Sequence, residues 1–216
     1  MTTASTDPIN IGLVGLGTVG AGTVNVLRRN QVEISRRAGR EIRIRSAAVR
    51  DLKVPRDCVV DDLTLTSNPF DVTDDPEISL VVELVGGCHI AKEVVLRSLQ
   101  QGKHVVTANK ALIALHGNEI FQAAHERGLM VAFEAAVAGG ISIIKVIREG
   151  LSGNRIDRIV GIINGTSNYI LTLMLEEHYS LNPLCRRLSG KDLPRRTRHL
   201  TSMGSMRAIN WRYWRP

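Results

Sequence analysis

Residues 9–29 read Ile-Asn-Ile-Gly-Leu-Val-Gly-Leu-Gly-Thr-Val-Gly-Ala-Gly-Thr-Val-Asn-Val-Leu-Arg-Arg, and this stretch decides the fold. Its first six residues predict a short apolar strand, and its last nine predict a helix. Between them, Gly15, Gly17 and Gly20 have the G-x-G-x-x-G spacing of a dinucleotide-binding turn. Because the turn follows a strand and opens a helix, we predict a nucleotide site rather than an ordinary tight turn.

The three glycines of this turn have separate predicted roles in binding the nucleotide. Gly15 allows a tight turn, Gly17 lets bare backbone approach a pyrophosphate, and Gly20 lets the helix pack closely on the strand. The free N–H groups of the first helical turn, at Thr18 and Val19, are expected to point toward the phosphates. The turn is therefore the predicted phosphate-binding element.

Length and composition place the chain among globular proteins. With 216 residues it is long enough for one full domain and part or all of a second. No apolar run approaches the roughly 18 residues of a membrane span, and residues 1–8 lack the pattern of a signal peptide, so we expect a cytoplasmic protein. Cys58, Cys88 and Cys185 form no metal or disulfide pattern, and we expect reduced, mostly buried thiols.

The positive charge of the chain is confined to its last part. The whole chain carries a net charge of +7, but residues 180–216 contain nine Lys or Arg and one acid. The other 179 residues contain 19 basic and 20 acidic side chains. The predicted folded part is therefore nearly neutral, and its charge gives no reason to expect nucleic-acid binding there.

A second strand is predicted over residues 41–49, and it ends at Arg50 and Asp51. In dinucleotide sites an acid near this position accepts a hydrogen bond from the ribose 2′-hydroxyl of NAD, whereas an arginine suits the 2′-phosphate of NADP. Arg50, with Lys53 as a second cation, therefore favours NADP. A solvated loop arginine, and use of both cofactors through Asp51, are the alternatives.

Strands and helices alternate along the rest of the first region. Residues 80–85 predict a buried strand that ends near Val85, Gly86 and Gly87, where backbone can lie against the cofactor. Further predictions are helices over 91–101 and 119–127, strands over 104–107 and 129–133, and irregular chain over 61–76. This alternation predicts right-handed crossovers and a parallel, doubly wound Rossmann-type α/β sheet.

Lys110 follows the strand predicted over 104–107. In open α/β sheets ligands bind in the crevice beyond the carboxyl ends of the strands, which is where Lys110 is expected. Its ammonium group there is able to hydrogen-bond a substrate oxygen and help to move a proton as hydride adds to a carbonyl carbon. The alternative is a surface lysine at the start of a helix.

Four segments of the chain resemble homoserine dehydrogenases. They are Gly-Leu-Gly-Thr-Val-Gly at 15–20, Val-Thr-Ala-Asn-Lys-Ala-Leu-Ile at 106–113, Phe-Glu-Ala-Ala-Val-Ala-Gly-Gly-Ile-Ser at 133–142 and Gly-Ile-Ile-Asn-Gly-Thr-Ser-Asn-Tyr-Ile-Leu at 161–171. The resemblance runs from about residue 9 to residue 177. It implies NAD(P)H-dependent interconversion of L-aspartate 4-semialdehyde and L-homoserine, in the pathway to threonine, methionine and isoleucine.

The resemblance also implies site residues. In the family the lysine of the Thr-Ala-Asn-Lys motif lies between the nicotinamide and the substrate, so Lys110 is the predicted catalytic residue. The predicted cofactor-binding residues are Gly15, Gly17, Thr18, Val19, Gly20, Arg50, Val85, Gly86, Thr107 and Lys110. A family loop that holds a monovalent cation, commonly sodium, implies the ligands Glu134, Val137, Gly139 and Ile141. The alternative for Glu134 is that its carboxylate caps a turn.

A second, smaller region follows the predicted cation loop. Residues 141–151 have apolar side chains at helical spacing, which suits a core or a subunit interface. Residues 155–163 alternate like a strand, and a turn at 164–167 precedes a helix over 168–177. The family implies that this strand joins a mixed α+β sheet with the substrate site and the homodimer contact, and that residues 165–169 lie near the substrate.

The resemblance stops near His178, and we propose a frameshift as the cause of the basic tail that follows. With suitable third bases, the codons of residues 190–211, read from the third base of the Gly190 codon, encode Lys-Gly-Phe-Ala-Glu-Ala-Asp-Pro-Thr-Phe-Asp-Val-Asp-Gly-Ile-Asp-Ala-Gly-His-Lys-Leu, which is the expected family continuation. The lost segment carries substrate-binding acids and a second lysine in the family. We therefore predict a chain that binds nucleotide weakly if at all and turns over little or no substrate.

These patterns divide the chain into three predicted parts. They are a nucleotide-binding domain over 9–133, a truncated catalytic domain over 134–178, and a tail over 179–216 that we expect to be disordered. One rival interpretation is a nucleotide-binding fold whose arginine-rich, aromatic tail binds nucleic acid. Another is an oxidoreductase for a different small carbonyl compound, against which the motifs at 107–110 and 164–168 argue.

Overall fold

The computed structural model describes residues 7–161 together with Thr172 and Leu175. The chain divides into two compact units, Met1–Asn154 and Arg155–Pro216. The first unit contains the sheet and the helices that pack against it. Among the described residues, no helix combines the length and the apolar character that crossing a membrane requires.

A six-stranded parallel sheet forms the centre of the first unit. Its strands are β1 Ile9–Val14, β2 Ile42–Ala48, β3 Thr64–Thr66, β4 Leu80–Glu83, β5 His104–Thr107 and β6 Val131–Ala132. They are arranged in the order β3-β2-β1-β4-β5-β6, and each neighbouring pair is parallel. The order reverses between β1 and β4, which is the switch point of a doubly wound sheet. The predicted sheet is therefore confirmed.

Helices cover both faces of this sheet. They are α1 Thr18–Arg29, α2 Gln31–Ala38, α3 Pro69–Asp74, α4 His89–Gln100, α5 Lys110–His125, α6 Glu134–Val137 and α7 Ile143–Lys145, followed by a π-helical turn at Val146–Gly150. On one face Val24 of α1 shares a buried cluster with Leu13 of β1. On the other, Val72 of α3 and Val94 of α4 pack with Val14. Each such side chain, fully buried, contributes about 1.5–3 kcal/mol.

The register of the sheet aligns the ends of its central strands. Val14 of β1 lies beside Glu83 of β4, and Glu83 lies beside Thr107 of β5. Because these strands are parallel, the turns that follow them leave the sheet at the same edge. We call this side of the sheet the carboxyl edge. It brings together the glycine turn, the loop after β4 and the segment after β5 that leads to Lys110.

The prediction of irregular chain over 61–76 is wrong, because β3 and α3 lie within it. Asn68 and Pro69 mark a helix start rather than a simple turn. The Asn68 side chain accepts a hydrogen bond from the Phe70 N–H at 3.1 Å, and Pro69 occupies the first turn of α3. The pattern also fails to predict α2, which buries no residue and so lacks an inward apolar stripe.

The helix predicted over 119–127 is longer than expected. It begins at Lys110, where Asn109 caps it by accepting a hydrogen bond from the Leu112 N–H at 3.1 Å. The strand predicted over 129–133 is reduced to the two residues of β6. Lys110 therefore belongs to the first turn of a 16-residue helix rather than to a loop.

The segment after the sheet departs further from its predicted structure. Residues 143–150 are helical, within the helix predicted over 141–151, but neither α7 nor the π-helical turn buries a residue. Their apolar side chains therefore add nothing to the core of the first unit. In the second unit, residues 155–161 form no strand, against the strand predicted over 155–163. The two residues described further on are helical, as predicted for 168–177.

Several predictions concern parts of the chain outside the described residues. These are the turn at 164–167, the substrate-proximal residues 165–169, Cys185 and the tail over 179–216. Within the described part, Cys58 and Cys88 are free thiols, as expected, but both are half-buried rather than buried. Burial is the largest influence on the pKa of Cys58 and raises it, which makes this thiol a weak nucleophile.

Candidate cofactor and active site

The glycine turn has the backbone geometry that a dinucleotide-binding turn requires. Gly15 has φ +104°, and a Cβ there would lie 2.9 Å from the Leu84 carbonyl group. A Cβ on Gly20 would lie 2.3 Å from the Gly15 carbonyl oxygen, so α1 approaches the turn as closely as predicted. A Cβ on Gly17 would meet no atom within 4 Å, which leaves room for a ligand at this position. Contact between a cofactor and Gly15, Gly17 or Gly20 stays a prediction.

The first turn of α1 offers N–H groups to a ligand. Gly17 is the N-cap residue, makes no side-chain capping bond, and is followed by no acid in the first turn. The first N–H that bonds back into the helix is that of Ala21, to the Gly17 carbonyl at 2.8 Å. The preceding N–H groups include those of the exposed residues Thr18 and Val19. This helix start is therefore suited to an anion such as a phosphate.

Arg50 lies just beyond β2 and is exposed, with no side-chain hydrogen bond or ion pair to any described residue. The loop around it is tied to the glycine turn by Arg56, a residue that the sequence did not single out. Arg56 donates to the Leu16 carbonyl at 3.3 Å and to the Asp51 carbonyl. The Asp51 carboxylate accepts the Lys53 N–H at 2.8 Å, which shapes the same loop. Arg50 is thus presented beside the turn with its guanidinium group free.

Lys110 begins α5 at the carboxyl edge, and its strand is separated from that of the glycine turn only by β4. Its side chain is exposed and forms no hydrogen bond or ion pair with residues in the described part of the chain. A cation at the start of a helix opposes the helix dipole at a cost of about 0.3–1 kcal/mol. Lys110 therefore does not stabilise its helix, and its position suits a side chain that binds a ligand or takes part in a reaction.

The structure adds Glu83 to the site. This residue ends β4, is 0% exposed, and accepts hydrogen bonds from the Val85 N–H at 2.9 Å and the Thr107 hydroxyl at 2.6 Å. The available signal was a single acid within the apolar strand predicted over 80–85. Thr107 is also 0% exposed, so its hydroxyl serves Glu83, and its predicted contact with the cofactor stays a prediction.

Asn109 connects the loop after β5 to the loop after β4. Its N–H donates to the Thr107 hydroxyl oxygen at 3.0 Å, and its side-chain NH₂ donates to the Gly87 carbonyl at 2.6 Å. Its side-chain oxygen caps α5 through Leu112. Lys110 is the next residue, so this network fixes the backbone that carries the predicted catalytic side chain.

The predicted cation loop has a capping role in the structure. The two carboxylate oxygens of Glu134 accept hydrogen bonds from the Ile144 N–H at 2.8 Å and the Lys145 N–H at 3.0 Å. Glu134 therefore makes capping contacts, and cation binding at this loop stays a prediction. The other predicted ligands are Val137 at the end of α6, exposed Gly139 and exposed Ile141. Across the described residues, no cluster of three or more His, Cys, Asp or Glu side chains suits a metal ion.

Two family models match the chain. Residues 15–134 match the NAD binding domain of homoserine dehydrogenase, and residues 143–189 match the homoserine dehydrogenase model itself. The first match contains the glycine turn, Arg50 and Lys110. The second ends at residue 189.

Individual homoserine dehydrogenases are also similar to the chain. Those of Pseudomonas aeruginosa and Neisseria gonorrhoeae are 58% and 54% identical over 170 and 171 residues. Each match covers 79% of this chain and 39% of the relative, so the chain spans well under half the length of these curated relatives.

Solved structures of homoserine dehydrogenases share the fold. The crystal structure from Thiobacillus denitrificans has a TM-score of 0.77 at 56% identity, covering 85% of this chain and 42% of that chain. A hyperthermophilic archaeal homoserine dehydrogenase in complex with NADPH has a TM-score of 0.68 at 26% identity, covering 84% of this chain and 60% of that chain. With a family match over more than half of its length, this chain belongs to the homoserine dehydrogenase family.

Proposed function

We propose that the chain is the cofactor-binding part of a homoserine dehydrogenase. This enzyme interconverts L-homoserine and L-aspartate 4-semialdehyde on the route to threonine, methionine and isoleucine. The observation that carries the proposal is that the glycine turn and Lys110 lie at the same edge of a parallel sheet. An anion-binding helix start and a free ammonium group suit a dinucleotide phosphate and a carbonyl substrate, respectively.

NADP is the proposed cofactor, in preference to NAD. Arg50 is exposed, free of partners among the described residues, and followed by Lys53 on the same loop. Two cations there suit the 2′-phosphate that distinguishes NADP from NAD. The archaeal homoserine dehydrogenase of the same fold was solved with NADPH. Asp51 supports lesser use of NAD, since a carboxylate is able to accept a ribose hydroxyl.

Lys110 is the proposed catalytic residue of this part of the chain. When bound, the nicotinamide ring supplies or accepts the hydride. The Lys110 ammonium group donates a hydrogen bond to the substrate oxygen and stabilises the charge that develops there during hydride transfer. Its freedom from protein partners among the described residues supports this role, because none has to be displaced.

As written, the chain should turn over little or no substrate. The match to the catalytic model ends at residue 189, and a frameshift is our proposed reason why the following residues differ from the family continuation. In the family that continuation supplies acids for the substrate and a second lysine for proton transfer. Lys110 alone leaves the substrate without these partners, so we expect cofactor binding to be weakened and turnover to be lost.

A monovalent cation, with sodium preferred, is proposed at the loop of Glu134, Val137, Gly139 and Ile141. One carboxylate and backbone carbonyls are hard oxygen ligands of the kind that such cations favour. The carboxylate already holds the start of α7, so the cation would share it with two N–H groups. We expect sodium, but not choline, chloride to raise the melting temperature of the chain, and no difference between the salts would remove this proposal.

The proposed partners are the small-molecule substrate and a second copy of the chain. The apolar residues of α7 and the π-helical turn are at least partly exposed, which supports the interface alternative for residues 141–151. The altered tail makes a stable homodimer doubtful for this chain. The two free thiols also agree with the cytoplasmic location that we propose.

Two measurements on the purified chain test the proposed function. Fluorescence titration should show saturable NADPH binding, whereas an absorbance assay should show no reduction of NADP that depends on L-homoserine. No binding of NADPH at millimolar concentration would refute the cofactor site. Ordinary turnover of L-homoserine would refute the proposed loss of activity. The frameshift is tested separately by the nucleotide sequence after codon 177, and it would be refuted if no reading frame there encoded the family segment.

A further inference from the structure

Glu83 is a buried carboxylate that lies between two loops of the proposed cofactor site. It is 0% exposed, and it forms no ion pair with any described residue. Burying a carboxylate without a cation is costly unless several donors surround it. All of its hydrogen-bond donors within residues 7–161 lie at the carboxyl edge. The buried carboxylate therefore stabilises the loops of the proposed site rather than the packing of the apolar core.

One oxygen of Glu83 fixes the loop after β4. Its Oε1 accepts hydrogen bonds from the Val85 N–H at 2.9 Å and the Gly86 N–H at 3.4 Å. The same loop packs on the glycine turn, because a Cβ on Gly15 would lie 2.9 Å from the Leu84 carbonyl group and 3.1 Å from the Val85 nitrogen. The position of the loop after β4 is thereby coupled to the position of the glycine turn.

The other oxygen of Glu83 fixes the loop after β5. Its Oε2 accepts the Thr107 hydroxyl at 2.6 Å, and the Thr107 oxygen in turn accepts the Asn109 N–H at 3.0 Å. The Asn109 side chain closes the ring by donating to the Gly87 carbonyl at 2.6 Å. Since Lys110 is the next residue, the ring connects the predicted catalytic backbone to the loop after β4.

From these contacts we propose that Glu83 is a positioning residue, which acts through Thr107 and Asn109 to set the nicotinamide end of the cofactor site. The inference rests on the proposed function. Glu83 accepts hydrogen bonds on both oxygens, whereas a glutamine has only one acceptor oxygen and would present a donor on one side. Of the two side chains, only a carboxylate accepts from every donor of the ring, and its loss should displace the two loops relative to each other.

The test compares two ligands on the full chain. NADPH carries the nicotinamide ring, and 2′-phospho-ADP-ribose is the same molecule without it. Thr107→Val removes the hydroxyl with little change in shape, Thr107→Ser keeps it, and Glu83→Gln removes one acceptor. Ser98→Ala is the matched control, because Ser98 is also 0% exposed and, among the described residues, its hydroxyl donates only to the Val94 carbonyl within α4, at 2.7 Å. The Kd of each ligand is measured by calorimetry.

Thr107→Val and Glu83→Gln should raise the Kd of NADPH about tenfold, because the displaced loops no longer fit the nicotinamide end, while the Kd of 2′-phospho-ADP-ribose changes by less than about twofold. Thr107→Ser and Ser98→Ala should bind both ligands like the unmodified chain. Equal weakening of both ligands, or unchanged NADPH affinity, would overturn the positioning role alone. An unmodified chain that binds neither ligand would overturn the proposed function, and the positioning role with it.

Discussion

Lys103 and Lys110 lie at opposite ends of β5 and have opposite environments. Lys103 is 3% exposed, and its ammonium group donates to the Asp75 carbonyl at 2.6 Å and the Ile78 carbonyl at 2.7 Å. Lys110 is exposed and has no side-chain partner among the described residues. The same residue type, seven positions apart, therefore serves the fold at one edge of the sheet and is left free at the other.

The arginines at the two edges of the sheet differ in the same way as the two lysines. The side of the sheet opposite the carboxyl edge, where the strands begin, is the amino edge. There Arg97 forms two hydrogen bonds to the Asp74 carboxylate, at 2.6 and 2.7 Å, and Arg45 pairs with Asp75 at 2.9 Å. At the carboxyl edge Arg50, like Lys110, is unpaired in the described part of the chain. Lys103, Arg97 and Arg45 at the amino edge are satisfied by protein groups. Arg50 and Lys110 at the carboxyl edge are free among the described residues, and open α/β sheets bind their ligands at that edge.

The largest expected effect is on the free energy of unfolding, and it comes from removing the Lys103 ammonium group at the amino edge. Lys103→Met should lower the free energy of unfolding by about 2–3 kcal/mol, because a buried hydrogen bond to the Ile78 carbonyl and a partly buried one to the Asp75 carbonyl are lost. Lys110→Met is the matched control and should change it by less than about 0.5 kcal/mol. Urea unfolding followed by circular dichroism measures both. Equal losses in the two variants would contradict the contrast between the edges.

Filling the glycine turn should have the next largest effect. Gly17→Val should raise the Kd of NADPH about thirtyfold, or roughly 2 kcal/mol, because the added side chain would occupy the space above the first turn of α1. Gly22→Val is the control, since Gly22 is a glycine of the same helix whose Cβ would also meet no atom within 4 Å. Fluorescence titration compares the two. Similar losses in both variants would place the cofactor elsewhere.

Removing the free cation beside the turn should have a smaller effect that depends on the ligand. Arg50→Ala should weaken NADPH binding about tenfold, since one charge-assisted bond to the 2′-phosphate is lost, and leave NADH binding unchanged. Arg43→Ala is the control, because Arg43 lies at the other end of β2 and pairs with Glu41 at 2.7 Å. If NADH binding fell as much as NADPH binding, Arg50 would not be the 2′-phosphate ligand.

The smallest effect concerns pH. The hydrogen bonds from Arg97 hold the pKa of the Asp74 carboxyl below its ordinary value. A lowered carboxyl pKa adds stability above the unfolded value of about 4, and this stability is lost as pH falls through the folded pKa. Arg97→Leu should therefore lower Tm by about 2 °C at pH 7, a small effect because the pair is exposed, and by less at pH 3. If the Tm difference between Arg97→Leu and the unmodified chain grew as the pH was lowered, Arg97 would not be the cause of the lowered Asp74 pKa.

The predictability of the fold and site from sequence depended on the type of signal. Elements with an apolar stripe, such as β1, β5 and α4, were predicted with nearly correct ends. Pattern reasoning missed α2, which buries no residue, and it missed α3, whose Asn-Pro start resembles a turn. The positions of the glycine turn and of Lys110 at the carboxyl edge were predicted because local motifs encode them. Glu83 and Arg56 were missed because their importance arises from contacts between strands and loops that are distant in sequence.

The most direct test of the central claim is the map of backbone amide signals that shift in nuclear magnetic resonance spectra when NADPH is added to the full chain. A nicotinamide dinucleotide bound at the carboxyl edge should shift the signals of Gly17, Thr18, Gly86 and Lys110. The signals of Lys103 and Asp75 at the amino edge should stay in place. Shifts confined to the amino edge, or to neither edge, would contradict the claim that the free charges of this sheet mark its cofactor site.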